Sequence, residues 1–165
     1  MATPVQVPVE EYLRTSYEGP DAEYVEGEIV YRPMPQRDHA DVQFRLCGRM
    51  YASQHAHKLH GFTEIRLRLS PTNIRVADIA LFQERPEESI PSTPPLVVIE
   101  ILSADDSMSA VREKLGEYAE WGVRHVWLID PGHKELYDYG ASGLKRVDSF
   151  DVPDLGIHLT PAEIF

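Results

Sequence analysis

Cysteine is almost missing from this chain: Cys47 is the only one in 165 residues. A lone thiol excludes an internal disulfide and any multi-cysteine zinc site, which fits a reducing compartment. Long apolar runs are missing too. No stretch approaches the ~18 to 20 apolar residues needed to span a bilayer, and the N-terminus lacks a basic region followed by an apolar run. A cytoplasmic location with no membrane partner is therefore expected. Positive charge is scarce: Lys and Arg number 16 against 27 Asp and Glu, for a net charge of -11. That balance argues against broad, non-specific attraction to nucleic acid, so any polyanion needs a local basic patch. No repeat period or low-complexity block divides the sequence, and it contains no P-loop, Gly-rich dinucleotide fingerprint or Ser-nucleophile elbow. One domain spanning 1–165, long enough for a real core, is the expectation.

What is present centres on residues 96–118. Leu96 to Leu102 is an almost unbroken aliphatic run of strand length, the pattern of a strand covered on both faces, and Glu100 sits inside it. A buried carboxylate is unfavourable by several kcal/mol, in order of magnitude, unless it is protonated, paired or bound to a cation. The next segment offers a partner. From about Ser107 to Trp121 the periodicity is helical, and Val111, Lys114, Leu115, Tyr118 and Trp121 fall on one stripe facing the sheet. Lys114 points the wrong way for a solvated lysine.

The remaining chain reads as follows. Pro8 to about Thr15 is a short helix with Pro near its first turn. Ala22 to Val25 and Glu28 to Tyr31 flank a Glu26-Gly27 turn as a hairpin. Asp38 caps a long helix to about Leu59, with Val42, Leu46 and Met50 at i+4 spacing and Gly61 at the stop. Phe62 to Leu69 alternates Ile65, Leu67 and Leu69 with Glu64, Arg66 and Arg68, giving one buried and one wetter face. Val76 to Phe82 is an apolar strand containing one acid, Asp78, and the proline-rich 84–95 connection has no periodicity. Val123 to Ile129 is a buried strand, Glu135 to Tyr139 and Leu144 to Phe150 form an antiparallel pair, and Thr160 to Phe165 is a helical turn. The fold class is α/β with a mixed central sheet flanked by helices.

Asp78 and Glu100 each interrupt an interior strand. Neighbouring strands can bring two such acids to one metal, and magnesium, a hard cation, is held by carboxylates together with water and substrate phosphate. Lys114 aimed at the same point adds a cation able to orient water or stabilise charge developing on phosphate. A structural salt-bridge cluster is the competing reading.

At these residues the sequence resembles the Uma-two family of endonucleases, within the restriction-endonuclease-like PD-(D/E)XK superfamily, over nearly the whole chain. The likeness runs through Tyr24-Val25-Glu26-Gly27-Glu28-Ile29-Val30, Pro33 to His39, Ala77-Asp78-Ile79 and Glu100-Ile101-Leu102-Ser103. It continues with Lys114, Tyr118, Gly122-Val123 and Trp127-Leu128-Ile129-Asp130-Pro131. The resemblance implies a restriction-endonuclease-like fold and a magnesium-dependent nuclease, with manganese as a substitute. It implies Asp78 and Glu100 as metal ligands, the Ile101 carbonyl as a third, and Lys114 as the catalytic lysine. Three departures stand out. The wider superfamily places its lysine two residues after the acid on the same strand, where this chain has Leu102, and the Uma-two pattern supplies it from the following helix instead. Ala77 replaces a proline, and Ala110 stands where many relatives carry an acid.

Other candidates are Glu28, which matches a family position and would approach the metal or water, and His39, which opens the long helix and would contact phosphate or the site edge. Arg66 with Arg68, and Arg45 with Arg49, are the places to look for a phosphate-binding patch. His55, His57 and His60 invite a zinc reading, but residues 55 and 57 lie on different helix faces. DNA is the expected partner, with a binding domain on the same fold as the alternative. A C2 homodimer is also expected, hiding a late sheet edge that carries Tyr137, Tyr139 and Phe150.

Overall fold

The computed structural model describes residues 6–165, with the side chains of residues 53–57 outside the description. Helix α1 (Val9–Arg14) follows Pro8, carries Glu10 and Glu11 in its first turn, and buries Tyr12. Strands β1 (Glu23–Val25) and β2 (Glu28–Val30) form the expected hairpin. Its turn residues, Glu26 (φ 49°) and Gly27 (φ 90°), are both left-handed, as a two-residue turn matching strand twist requires. Helix α2 (Arg37–His57) ends at Lys58 (φ 54°). Gly61 is not its stop, because that residue already pairs with Leu81 inside β3 (His60–Ser70).

Strand β3 turns back into β4 (Asn73–Phe82) as a long hairpin, and β4 pairs antiparallel with β5 (Val97–Ile101). Helix α3 (Met108–Trp121), ended by Gly122 at φ 113°, is the crossover to β6 (His125–Asp130), parallel to β5. Strands β7 (Glu135–Gly140) and β8 (Gly143–Val147) finish the sheet, whose order is β2-β1-β4-β5-β6-β7-β8 with β3 also on β4. The mixed α/β architecture is as expected. The last expected strand is divided: Phe150 belongs to β9 (Phe150–Val152), which pairs with β10 (Ile157–Leu159) in a separate two-stranded sheet before α4 (Pro161–Ile164).

Two cores lie on opposite faces of the sheet. On one, Val42, Leu46 and Met50 of α2 meet Ile79, Ile99, Ile101 and Ile129, together with Phe150, Ile157 and Ile164. Phe150 is 1% exposed and stacks on Trp127 at 4.4 Å, and Tyr137 and Tyr139 lie on β7, which is paired on both sides, so none of the three lines the sheet edge, which is β8. On the other, Leu115 and Tyr118 of α3 pack against Ala80, Val98 and Leu128. Phe62 and Ile65, three residues apart, both pack into this second core. Strict alternation forbids that. Between them Glu64 is left-handed (φ 50°), which breaks the alternation of β3 beside the Thr63–Ile79 and Ile65–Ala77 pairs.

Candidate active site

The site arises from a fork in the sheet. One edge of β4 follows β3 along its length, while the other pairs with β1 at residues 73 and 74 and with β5 only from residue 79 onward. Residues 75–78 therefore face a gap on that edge, where backbone groups need other partners. Side chains supply them. The Val76 N–H donates to Glu23 Oε1 (3.0 Å), and the Val76 carbonyl accepts from Lys114 Nζ (2.8 Å). The Ile101 N–H donates to Asp78 Oδ2 at 2.8 Å. One step beyond the Ile79–Ile99 pair, the continued register sets Asp78 opposite Glu100.

Asp78 is 2% exposed. Besides Ile101 it receives Arg32 Nη2 at 2.7 Å and meets His39 Nε2 at 3.3 Å. Burial pushes its carboxyl upward, but the His39 hydrogen bond and the charges of Lys114 and Arg32 outweigh that and hold it below the usual range. Glu100 behaves oppositely. It meets Lys114 Nζ at 2.9 Å and accepts from the Tyr118 hydroxyl at 3.0 Å. Burial dominates, Lys114 only partly offsets it, Asp78 adds repulsion, and the carboxyl is pushed up to about 7. Lys114 also meets Glu23 Oε1 at 2.8 Å. Burial would discharge this ammonium, but Glu100 and Glu23 hold its pKa above the usual lysine value. The lysine is a fixed cation between two carboxylates.

A second ring of charges braces the first. Arg75 joins Glu23 Oε2 (2.9 Å) to Glu117, which it grips through both Nε (2.6 Å) and Nη2 (2.7 Å). Arg32 reaches Glu64 Oε2 through Nη1 at 2.6 Å. Gln43 of α2 donates to Glu64 (2.9 Å) and to the Asp78 carbonyl (3.1 Å). The left-handed backbone of Glu64 thus coincides with its engagement by Arg32 and Gln43, a pairing of local strain with a charged cluster that often marks functional sites.

These groups line a cleft of about 600 Å³ that includes Glu23, Arg32, His39, Asp78, Glu100 and Lys114. Tyr31 and Met34, 70% and 64% exposed, lie on its wall. Of the residues singled out from sequence, Asp78, Glu100, Ile101, Lys114 and His39 are brought together here. Glu28 is not. It is exposed on β2 opposite Val25, and the glutamate the hairpin sends into the cleft is Glu23. Arg66 is held by Asp21 at 2.5 and 2.6 Å and lies over the Tyr12 ring at 4.5 Å, so it braces α1. The Arg68 backbone is tied to Pro91, and its Nε is buried without a partner. Arg45 and Arg49 of α2 pair with Asp41 and Glu163. The side chains of His55 and His57 lie outside the described residues.

Arg32, Gln43, Glu64 and Arg75 escape sequence reasoning because each looks like an ordinary surface residue. Tyr118 belongs to the apolar stripe and to the family likeness, but neither points to its hydrogen bond with Glu100. Among the described residues no group of three or more His, Cys, Asp or Glu side chains is arranged as a metal cage. The donors nevertheless fit a hard divalent cation, which takes oxygen ligands and keeps several waters. Glu23, Glu64, Asp78, Glu100 and Glu117 bring five carboxylates against the three cations Arg32, Arg75 and Lys114, an excess of two negative charges if all are ionised.

No curated protein matches the chain. Among solved structures, a protein from Anabaena variabilis described as a "putative nuclease belonging to DUF820" shares 26% identity, covers 98% of both chains and superposes with a TM-score of 0.84. A family model, Uma2, described as "Putative restriction endonuclease", matches residues 9–154. With the match spanning both carboxylate strands, the lysine helix and most of the sheet around them, the chain belongs to the Uma2 family.

Proposed function

We propose that the cleft hydrolyses phosphodiester bonds of DNA with magnesium, or manganese in its place, held by Asp78, Glu100 and the Ile101 carbonyl. The observation that carries this reading is the convergence of Lys114, delivered from a helix, on the buried Glu100 at 2.9 Å, with Asp78 set opposite Glu100 across the gap in the sheet. Two buried carboxylates facing each other beside an excess of negative charge make a place that a further cation would relieve. When bound, the metal polarises the scissile phosphate and acidifies a water.

The chain's own residues do the remaining work. Lys114 stays protonated and offers a fixed positive charge to an oxygen that becomes more negative as the bond breaks. Tyr118 and Lys114 together fix the Glu100 carboxylate, and His39 with Ile101 N–H fixes Asp78. Exposed Tyr31 and Met34 give bases an apolar surface near these groups. A second copy, paired along the open β8 edge, would supply a site for each strand of a duplex.

The test is a plasmid-nicking assay with magnesium on Asp78→Asn, Glu100→Gln and Lys114→Met. Each variant is expected to lose ~100-fold or more of the rate, and cleavage retained by all three would remove the site assignment. Calorimetric titration with manganese separates this from a non-catalytic binding domain, which needs no metal at Asp78 and Glu100.

A further inference from the structure

We propose that Arg32 is a cation gate, occupying the metal-facing carboxylate of Asp78 until substrate phosphate draws its guanidinium away. The inference rests on the nuclease reading above. Every oxygen of Asp78 is already engaged: Oδ1 by Arg32 at 2.7 Å, Oδ2 by the Ile101 N–H at 2.8 Å and by His39 at 3.3 Å. The two oxygens offer about four lone-pair sites and Oδ1 has a single donor, so a metal can reach it, but there it meets the charge of the Arg32 guanidinium 2.7 Å away. The Ile101 N–H is fixed by the main chain of β5, and His39 approaches the oxygen that Ile101 already holds. Arg32 alone holds Oδ1, and it sits on the connection between β2 and α2, outside regular structure.

Arg32 also has somewhere to go. Its side chain is 13% exposed and lines the same cleft as Glu100 and Lys114, and its second nitrogen rests on Glu64, whose side chain is 42% exposed. A guanidinium matches two phosphate oxygens in the way it matches two carboxylates. Once a metal has neutralised Asp78, the pull of that carboxylate on Arg32 falls, and a phosphodiester in the cleft becomes the strongest anion within reach. Metal and guanidinium thus compete for Asp78 in the free protein and act on the same phosphate in the complex.

Opposite effects on metal binding and on catalysis follow, which a bracing role does not produce. Calorimetry with manganese alone should show Arg32→Gln binding at least tenfold more tightly than wild type, and Arg32→Lys, which cannot bridge Asp78 and Glu64 together, in between. On DNA, Arg32→Gln should lose at least tenfold in kcat with a smaller change in KM. Unchanged or weaker manganese affinity in a folded Arg32→Gln overturns the gate; if that variant fails to fold, Arg32→Lys carries the same test. Tighter binding with undiminished kcat overturns the transfer to phosphate. If no cation binds to wild type or variants, the metal reading itself fails, an outcome distinct from equal binding by all.

Discussion

Replacing Glu100 with Gln should make the metal-free protein more stable at neutral pH. In the folded state burial raises this carboxyl from 4.5 to about 7. The folded state therefore holds its proton more tightly than the unfolded chain does. The stability this contributes is complete below pH ~4.5 and is lost as the pH rises through about 7. At ~1.4 kcal/mol per pH unit, wild type gives up about 3 kcal/mol across that window. Glutamine mimics the protonated carboxyl, turning its carbonyl to Lys114 and its amide to the Tyr118 hydroxyl, while Lys114 keeps Glu23 and the Val76 carbonyl. With a chelator present, the variant and wild type should melt together at pH 4.5 and diverge by roughly 6–12 °C at pH 8, using ~2–4 °C per kcal/mol for a chain of this size. Magnesium should then raise the wild-type Tm and leave the variant unmoved. A difference that is the same at both pH values, or a variant less stable at pH 8, refutes the argument.

Lys114→Met should cost about 3–5 kcal/mol in denaturant melts at pH 7, since it strands Glu23 and Glu100 without their shared cation. The loss should shrink at pH 4.5 as Glu100 takes up a proton. Tyr31→Ala should cost at most about 1 kcal/mol, because the ring is 70% exposed and meets Tyr17 edge-on, and raise KM for DNA by roughly tenfold, the scale of a lost base stack; an unchanged KM removes Tyr31 from the substrate surface. Phe150→Ala should cost about 3–5 kcal/mol through the cavity it leaves against Trp127. Light scattering at high micromolar concentration should return twice the 18.8 kDa chain mass, and a monomer excludes the β8-edge dimer.

The strands and helices were legible because burial imprints periodicity. The α3 stripe exposed Lys114 as an anomaly, and the aliphatic runs around Asp78 and Glu100 marked both acids as buried. What stayed hidden is the partnership. Glu23 lies in a three-residue strand too short for a pattern, and Arg32 sits in a proline-rich turn. Arg75 alternates with apolar residues in β4, yet only the gap beside β1 turns it inward to Glu117. Arg66 and Arg68 do share a spacing of two, but spacing cannot reveal that Asp21 already claims one of them. Glycine is the expected left-handed residue at a helix stop, which points to Gly61, whereas Lys58 takes that conformation.

The fork has a consequence for motion. An amide in an uninterrupted sheet exchanges its hydrogen only when strands part, but the Val76 N–H is held by the Glu23 side chain alone. Its release needs a rotamer change, or protonation of a carboxylate that Lys114 and Arg75 hold ionised. The neighbouring amides of Ile79 and Leu81 lie in the ladder shared with β5 and follow larger openings. Val76 is therefore a native clock for the charge state of the cleft, ticking faster whenever the ions around Glu23 come apart while the rest of the sheet stays closed.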